Sequence, residues 1–454
     1  FEDLDVPPTL VSFAVTTGKT KDVVSGEFKH AGNPVIILRP ETDENGLPKA
    51  GSVIENIRKV TSLIRENAAV SAYTPAYGGI AEAVYKMCIG NGLGFKYAEH
   101  VKTEDIFAYS YGSFILETTG EIVGETLGYT TEDKTIRLGS ESLALSELSE
   151  IYEGRLESVY PCMEKPAAYT ETFSYNKKEI YVPNIKIGKP RVLIPVFPGT
   201  NCEYDTAKVM EDAGAESRIF VINNLTKDGI TRSVDEFAKE VGKSQMIFLP
   251  GGFSGGDEPD GSGKFIMAFF RNAKIKESVR ELLGKRDGLM CGICNGFQAL
   301  IKLGLVPFGD IVDTDENCPT LTFNKIARHQ SKLVRIRVSS NKSPWLKNTE
   351  VGDVYTVPVS HGEGRFYASD EVIKRLAENG QIATQYVDLD GNATEDIRFN
   401  PNGSAFAIEG ITSPDGRVFG KMGHSERTGD GLYKNVEGNY DMKMFKSAVE
   451  YFTK

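Results

Sequence analysis

No apolar run in this 454-residue chain approaches the ~18 consecutive residues that a membrane helix needs, and no secretory signal is read at its first residues. A membrane class is therefore not expected. Cysteine is sparse: the six residues are scattered without the paired spacing of a zinc site or a disulfide framework. Cys291 and Cys294 form a C-x-x-C, but no second pair or histidine cluster completes a metal site. No metal is expected, and reduced thiols in a cytoplasmic protein are the default. Positive charge is not in excess either. A net charge of -11 argues against a nucleic-acid surface. Only five histidines occur, so histidine-dependent chemistry has few candidates. Methionine is absent before Met87, from which a natural start upstream of Phe1 is expected. What remains is a globular composition too long for one core, and two or three domains are expected.

Residues 1–150 read as a mixed α/β unit. "PVIIL" (Pro34 to Leu38) and "GSFILET" have strand character. Val53, Ile54, Ile57, Val60 and Leu63 form a helical stripe within Ser52 to Glu66. A second helix is predicted from Gly79 to Ile89, stopped by the glycines of "GNGLG". Over residues 151–190 the periodicity weakens and Pro161, Pro166, Pro183 and Pro190 punctuate it, as in a linker lying across a surface. From Arg191 strands and helices alternate: "RVLIPVF", "YDTAKVMEDAG", "SRIFVIN", "VDEFAKEVG", "QMIFL", "IKESVRELLG", "DGLMCGI" and "NGFQALIKLG". That order predicts, for residues 191–454, a doubly wound, mostly parallel sheet with right-handed crossovers. The last hundred or so residues return to strands ("KLVRIRV", "VYTVPVS", "AFAIEGI") before a closing helix from Tyr440 to about Phe452.

Gly292-Ile293-Cys294-Asn295-Gly296 sits between a predicted strand and a predicted helix. This is the nucleophile-elbow pattern with cysteine in place of serine. So sharp a turn brings the positions two before and two after the nucleophile together, hence glycine at both. The turn exposes the sulfur at the carboxyl end of the sheet and at a helix N-terminus, which favours the thiolate. The alternative, a buried cysteine beside a packing glycine, leaves both glycines and the flanking elements unexplained. Pro250-Gly251-Gly252-Phe253 follows the strand before the elbow strand. Acyl transfer needs two N–H donors for the developing oxyanion, and the amides of Gly252 and Asn295 can supply them if this loop passes beside the elbow.

A thiol nucleophile needs a base, and the base an orienting group. His30 and His100 belong to the first domain, and His329 lacks an adjacent acid. Two His-x-Glu pairs remain, His361 with Glu363 and His424 with Glu426. In extended chain, residues two apart share a side, so either glutamate can hold its imidazole.

"GICNGFQ", an upstream "LPGG" and a downstream His-x-Glu resemble the class I, triad-type glutamine amidotransferases. "VFPGTNCEYDTA", "LPGGFSGGD", "GICNGFQAL", "PVSHGEGRF" and "GHSER", in that order, are similar to the glutaminase part of the phosphoribosylformylglycinamidine synthases, ligases of purine biosynthesis. The resemblance covers Arg191 to the C-terminus. It implies Cys294 as nucleophile, His424 as base and Glu426 as its orienter. It further implies Gly252 and Asn295 as oxyanion donors, Phe253 and Gln298 near bound glutamine, and His361, Glu363 and Arg365 on a loop facing the synthetase or passing ammonia. Context agrees on the base: Gly362 and Gly364 suggest that His361 lies on a mobile loop, whereas His424 follows the strand-like "RVFGKMG". The glutaminase itself implies no cofactor. The complete enzyme of this resemblance uses ATP and Mg²⁺ to amidate formylglycinamide ribonucleotide on upstream synthetase domains of the same polypeptide.

"VPPTLVSFAV", "AYGGIAEAVYKM" and "GEIVGETLGYTTED" resemble the second half of an aminoimidazole-ribonucleotide-synthetase-like module. Two departures stand out. Ser425 lies where the family often has proline between histidine and glutamate. Thr74 and Tyr77 precede Gly78-Gly79 where acidic residues are expected, so this half-module is read as degenerate and structural. Two other functions compete with the glutaminase: a cysteine hydrolase of the dienelactone-hydrolase type, and a non-catalytic scaffold with an amidotransferase fold.

Overall fold

The computed structural model describes residues 10–120, 124–158, 169–177, 181–253 and 263–454. The chain divides into two compact units, Phe1–Pro161 and Cys162–Lys454. Pro161, Pro166 and the part of "LPGGFSGGD" from Ser254 onward lie outside the described residues.

Unit 1 is built on strands β1 (Pro34–Leu38), β2 (Ala69–Tyr73), β3 (Gly94–Tyr97), β4 (Phe114–Thr118), β5 (Glu125–Thr131), β6 (Thr135–Leu138) and β7 (Glu141–Ala144), in spatial order β2-β4-β1-β5-β3-β6-β7. Its helices are α1 (Ala50–Arg65), α2 (Gly79–Ile89), α3 (Thr103–Phe107) and α4 (Leu145–Gly154). "PVIIL" is apolar throughout because both faces of β1 are covered. Val35 and Ile37 join the cluster that includes Ile80 and Val84 of α2, whereas Ile36 and Leu38 join Val60 and Leu63 of α1. The predicted stripe of α1 is only partly buried: Ile54 and Ile57 remain about half exposed.

Unit 2 contains β8 (Arg191–Val196), β9 (Glu216–Val221), β10 (Met246–Leu249), β11 (Leu289–Ile293), β12 (Thr320–Phe323), β13 (Gln330–Val338), β14 (Val354–His361), β15 (Glu363–Tyr367), β16 (Ile382–Val387), β17 (Ile408–Thr412) and β18 (Val418–Lys421). Its helices are α5 (Glu203–Asp212), α6 (Lys227–Lys243), α7 (Lys264–Phe270), α8 (Ala273–Lys285), α9 (Asn295–Leu303), α10 (Leu305–Phe308), α11 (Asp370–Glu378) and α12 (Met444–Thr453). One sheet runs β14-β13-β16-β17-β18-β11-β10-β8-β9, and β12 pairs with β15 in a separate ribbon. From β9 to β18 the neighbours are parallel. From β18 to β14 they are antiparallel. The alternating pattern predicted the parallel half; the antiparallel wing is longer than expected, because β13 leads to β14 and β17 to β18 with no α-helix between them, and β16, entering after α11, lies antiparallel to both β13 and β17. Residues of β10 and β11 are fully buried, as a parallel strand covered by helices on both faces requires.

Part of residues 151–190 is held to unit 2. Gln385 accepts the Phe173 N–H and donates to the Glu171 carbonyl, while Arg337 donates to the Phe173 carbonyl and Ser174. Tyr181 donates to Asp287.

Candidate active site

Cys294 follows β11 directly and caps α9, with φ 53° and ψ -107°. This is a backbone conformation that a non-glycine residue adopts only when its surroundings impose it. Two glycines do so. A Cβ on Gly292 would lie 2.6 Å from the Gly296 carbonyl, and one on Gly296 would lie 2.1 Å from the carbonyl oxygen of Leu249 in β10. The Cys294 N–H donates to the Lys421 carbonyl at 2.9 Å, its carbonyl accepts from Gln298 N–H at 3.0 Å, and the sulfur approaches the Ser360 carbonyl at 3.8 Å.

His424 lies just beyond β18, which pairs with β11, so strand register brings His424 and Cys294 to the same sheet end. The His424 N–H donates to the Pro358 carbonyl at 2.9 Å. Glu426 Oε1 is 2.5 Å from His424 Nδ1, and both residues are buried. Burial by itself would depress the imidazole, yet the Glu426 carboxylate and hydrogen bonds to Cys202, Cys294 and Glu426 hold it well above its ordinary value. Glu426 is likewise burdened by burial and still held low by His424.

The glycine loop packs against this group. A Cβ on Gly251 would lie 2.6 Å from His424 Cε1 and 3.2 Å from Cys202 Sγ. Gly252, at φ +146°, leaves no room for a side chain beside Gly199, and Phe253 N–H donates to the Gly199 carbonyl at 2.8 Å. The Phe253 ring lies 6.1 Å from the His329 ring, and His329 Nε2 is 3.0 Å from Ser360 Oγ. Asn295 and Gln298 are buried; the Asn295 side-chain Nδ2 donates to Gln298 Oε1 at 2.9 Å, and Gln298 Nε2 donates to the Glu363 carbonyl. The Gln298 carboxamide is thus engaged within the protein.

The mobile loop expected at His361 is not there. His361 ends β14, Glu363 opens β15, and both are buried. Gly364 serves close packing, since a Cβ there would lie 2.6 Å from Met422 Cε and 3.0 Å from His361 Nδ1. His361 Nδ1 stands 3.2 Å from Asn324 Oδ1. Burial first, then the neighbouring His424 and His329, pushes its imidazole down to about 3. Glu363 pairs with Lys302 at 3.4 Å, and Arg365 is half-buried in β15.

Residues outside the sequence-level candidates complete the shell. Cys202, at the start of α5, places its sulfur 3.8 Å from His424 Nδ1 and accepts from Arg427 Nη2 at 3.2 Å. Cys202 belongs to "VFPGTNCEYDTA", but no spacing ties it to His424. Among the described residues, Cys202, His424 and Glu426 are the one group of three or more His, Cys, Asp or Glu residues whose ligand atoms lie within 4.8 Å of one another. The Arg427 guanidinium occupies that corner with positive charge, which disfavours a cation. No helix among the described residues is long and apolar enough to cross a membrane.

A family described as the CobB/CobQ-like glutamine amidotransferase domain matches residues 189–452. The phosphoribosylformylglycinamidine synthase subunit PurQ of Methanococcus maripaludis strain C7 is 34% identical over 286 residues, covering 58% of this chain and 98% of the relative. The PurQ subunit of Aquifex aeolicus is 34% identical over 245 residues, covering 54% of this chain and 93% of that one. The structure of PurLQS from Thermotoga maritima aligns with 58% of this chain and 100% of its own matched chain, at 28% identity and TM-score 0.42. Through residues 189–452, then, the chain belongs to the CobB/CobQ-like glutamine amidotransferase family and, within it, with the PurQ-type proteins.

Proposed function

We propose that this chain hydrolyses glutamine through a thioester on Cys294 and supplies the ammonia to a synthetase. The supporting observation is the buried set formed where Cys294, on its strained elbow at the end of β11, and His424, just beyond the neighbouring β18 and 2.5 Å from Glu426, come to the same sheet end. The Cys294 thiolate attacks the side-chain carboxamide carbon. The Gly252 and Asn295 amides stabilise the oxyanion. His424 returns its proton to the leaving nitrogen, so that ammonia departs and a γ-glutamyl thioester remains. Water then attacks the thioester with His424 as general base, releasing glutamate and the thiolate. Phe253 borders the glutamine, with Gln298 tying Asn295 to the start of β15.

The ammonia is used elsewhere, in the ATP-dependent amidation of formylglycinamide ribonucleotide. The segment directly ahead of Gly78-Gly79 in unit 1 offers no acid for a nucleotide–Mg²⁺ group. Thr74 and Tyr77 stand ahead of Gly78, and the nearby acid, Glu82, accepts from Gly78 N–H at 3.0 Å while pairing with Lys86 at 2.7 Å. We assign the nucleotide chemistry to synthetase modules, with His361, Glu363 and Arg365 backing the side from which ammonia leaves. Acid-quenching the chain during turnover of labelled glutamine tests the reading. A glutamyl adduct on the Cys294 peptide supports it, and turnover with the label elsewhere overturns it.

A further inference from the structure

Beneath the triad lies an ion pair that the hydrolysis does not use. Lys421, the last residue of β18, and Glu409, in β17, have 0% exposed side chains with Nζ and Oε1 3.1 Å apart. Burying such a pair strips two ions of water, and apolar replacements of similar volume are often neutral or stabilising. Stability alone therefore does not account for it. Its hydrogen bonds point to another purpose. Lys421 Nζ donates to the Gly423 carbonyl at 2.7 Å, and the Gly423 N–H donates to Glu409 Oε1 at 2.6 Å. The Thr384 hydroxyl donates to Glu409 Oε2, and the Glu409 carbonyl accepts from Met422 N–H at 3.2 Å. Both main-chain groups of the residue preceding His424 are thus held by charge-assisted bonds, the stronger kind.

The same lysine reaches the nucleophile. Its carbonyl accepts the Cys294 N–H at 2.9 Å. Room for the arrangement is built in. A Cβ on Gly423 would lie 2.5 Å from Val357 Cγ2 and 3.1 Å from Lys421 Nζ, and one on Gly410 would lie 2.7 Å from Thr384 Oγ1 and 3.0 Å from Lys421 Cβ. Gly410 is also the residue that faces Lys421 across the β17–β18 ladder.

We propose that Lys421 and Glu409 are positioning residues for glutamine hydrolysis: their pair immobilises the Gly423 peptide and so registers His424 against Cys294. This rests on the glutaminase reading. The test uses the whole 454-residue chain with two double variants. Lys421→Met with Glu409→Leu removes both bonds to Gly423, whereas Lys421→Met with Glu409→Gln keeps an acceptor for its N–H. Thermal midpoint, kcat and KM for glutamine are measured. The Met/Leu variant should melt no lower than the parent and hold its KM, while kcat falls by about tenfold to a hundredfold, the scale of a small displacement of a catalytic group. The Met/Gln variant should recover part of that loss. Parental kcat in a folded Met/Leu variant overturns the proposal, as does an equal loss in both variants. If Met/Leu does not fold, Met/Gln decides: parental kcat there overturns the proposal, and a lower kcat at unchanged melting and KM supports it. A parent that turns over no glutamine sinks the glutaminase reading and this inference with it, whereas an active parent with an active Met/Leu variant sinks only the inference.

Discussion

The Glu426 carboxylate stands 2.5 Å from Nδ1 of His424, and each residue is 2% exposed. Shielded from bulk solvent, each ion depends on the other, which is why the imidazole is held high and the carboxylate low. A proton is therefore kept on the histidine at the start of the proposed reaction, where the leaving nitrogen needs it. Glu426 also binds the Nδ1 side of the ring, which leaves the opposite nitrogen for proton exchange with substrate.

Glutamine hydrolysis should be abolished in Cys294→Ala. Ammonia-dependent amidation by the assembled synthetase should survive, because in the proposed reaction Cys294 makes ammonia and takes no part in using it. Loss of both activities in a folded variant would argue against separate sites.

A glutamine-mimicking alkylator should modify Cys294 and spare Cys291. The latter is fully buried in β11, and burial keeps its thiol well above its ordinary value, hence protonated and unreactive. Peptide mapping that placed the adduct on Cys291 would contradict the elbow assignment.

Replacing the proposed base should separate the two His-x-Glu pairs. His424→Ala is expected to lower kcat for glutamine by about 10²–10⁴, the usual contribution of a positioned general base. His361→Asn should retain far more of it, since the His361 Nδ1 faces Asn324 at 3.2 Å instead of a carboxylate. Steady-state kinetics with the reverse ranking would exchange the two roles.

His361 should also make the chain acid-sensitive. Its imidazole is pushed down to about 3 in the folded protein, against about 6.5 when unfolded. Between these values the unfolded chain binds a proton that the folded chain refuses, so stability falls as pH falls through that window. Denaturant unfolding at pH 7 and pH 4 should show a smaller loss in His361→Asn than in the parent. An unchanged difference would show that His361 is not held neutral.

Gly296→Ala should cost about 1–3 kcal/mol or more, because the new Cβ would sit 2.1 Å from the Leu249 carbonyl oxygen, a backbone atom that cannot step aside. Gly284→Ala is the matched control. Among the described residues nothing lies within 4 Å of a Cβ there, and at this exposed position of helix α8 the change should add about 0.4–1 kcal/mol. Thermal melts of the two variants that moved together would contradict the elbow packing.

Much of this protein is local in origin, and local features can be read from residue order. The elbow at Cys294 needs only two glycines, a buried strand and a helix start, all within "DGLMCGICNGFQALIKLG". Helix Gly79–Ile89 and strand Pro34–Leu38 coincide with their predicted spans because period and end signals lie within each segment. Other features depend on which distant strands become neighbours. Gly362 and Gly364 suggest a mobile loop at His361, but the chain packs Met422 against Gly364 and buries the histidine. Cys202, Arg427, Lys421 and Glu409 carry no mutual spacing. They meet because β18 lies between β11 and β17, and because α5 begins beside the end of that sheet. Sequence periodicity records which face of an element is buried, whereas the register between elements is set by the packing of the whole core, and the surroundings of His424 come from that register.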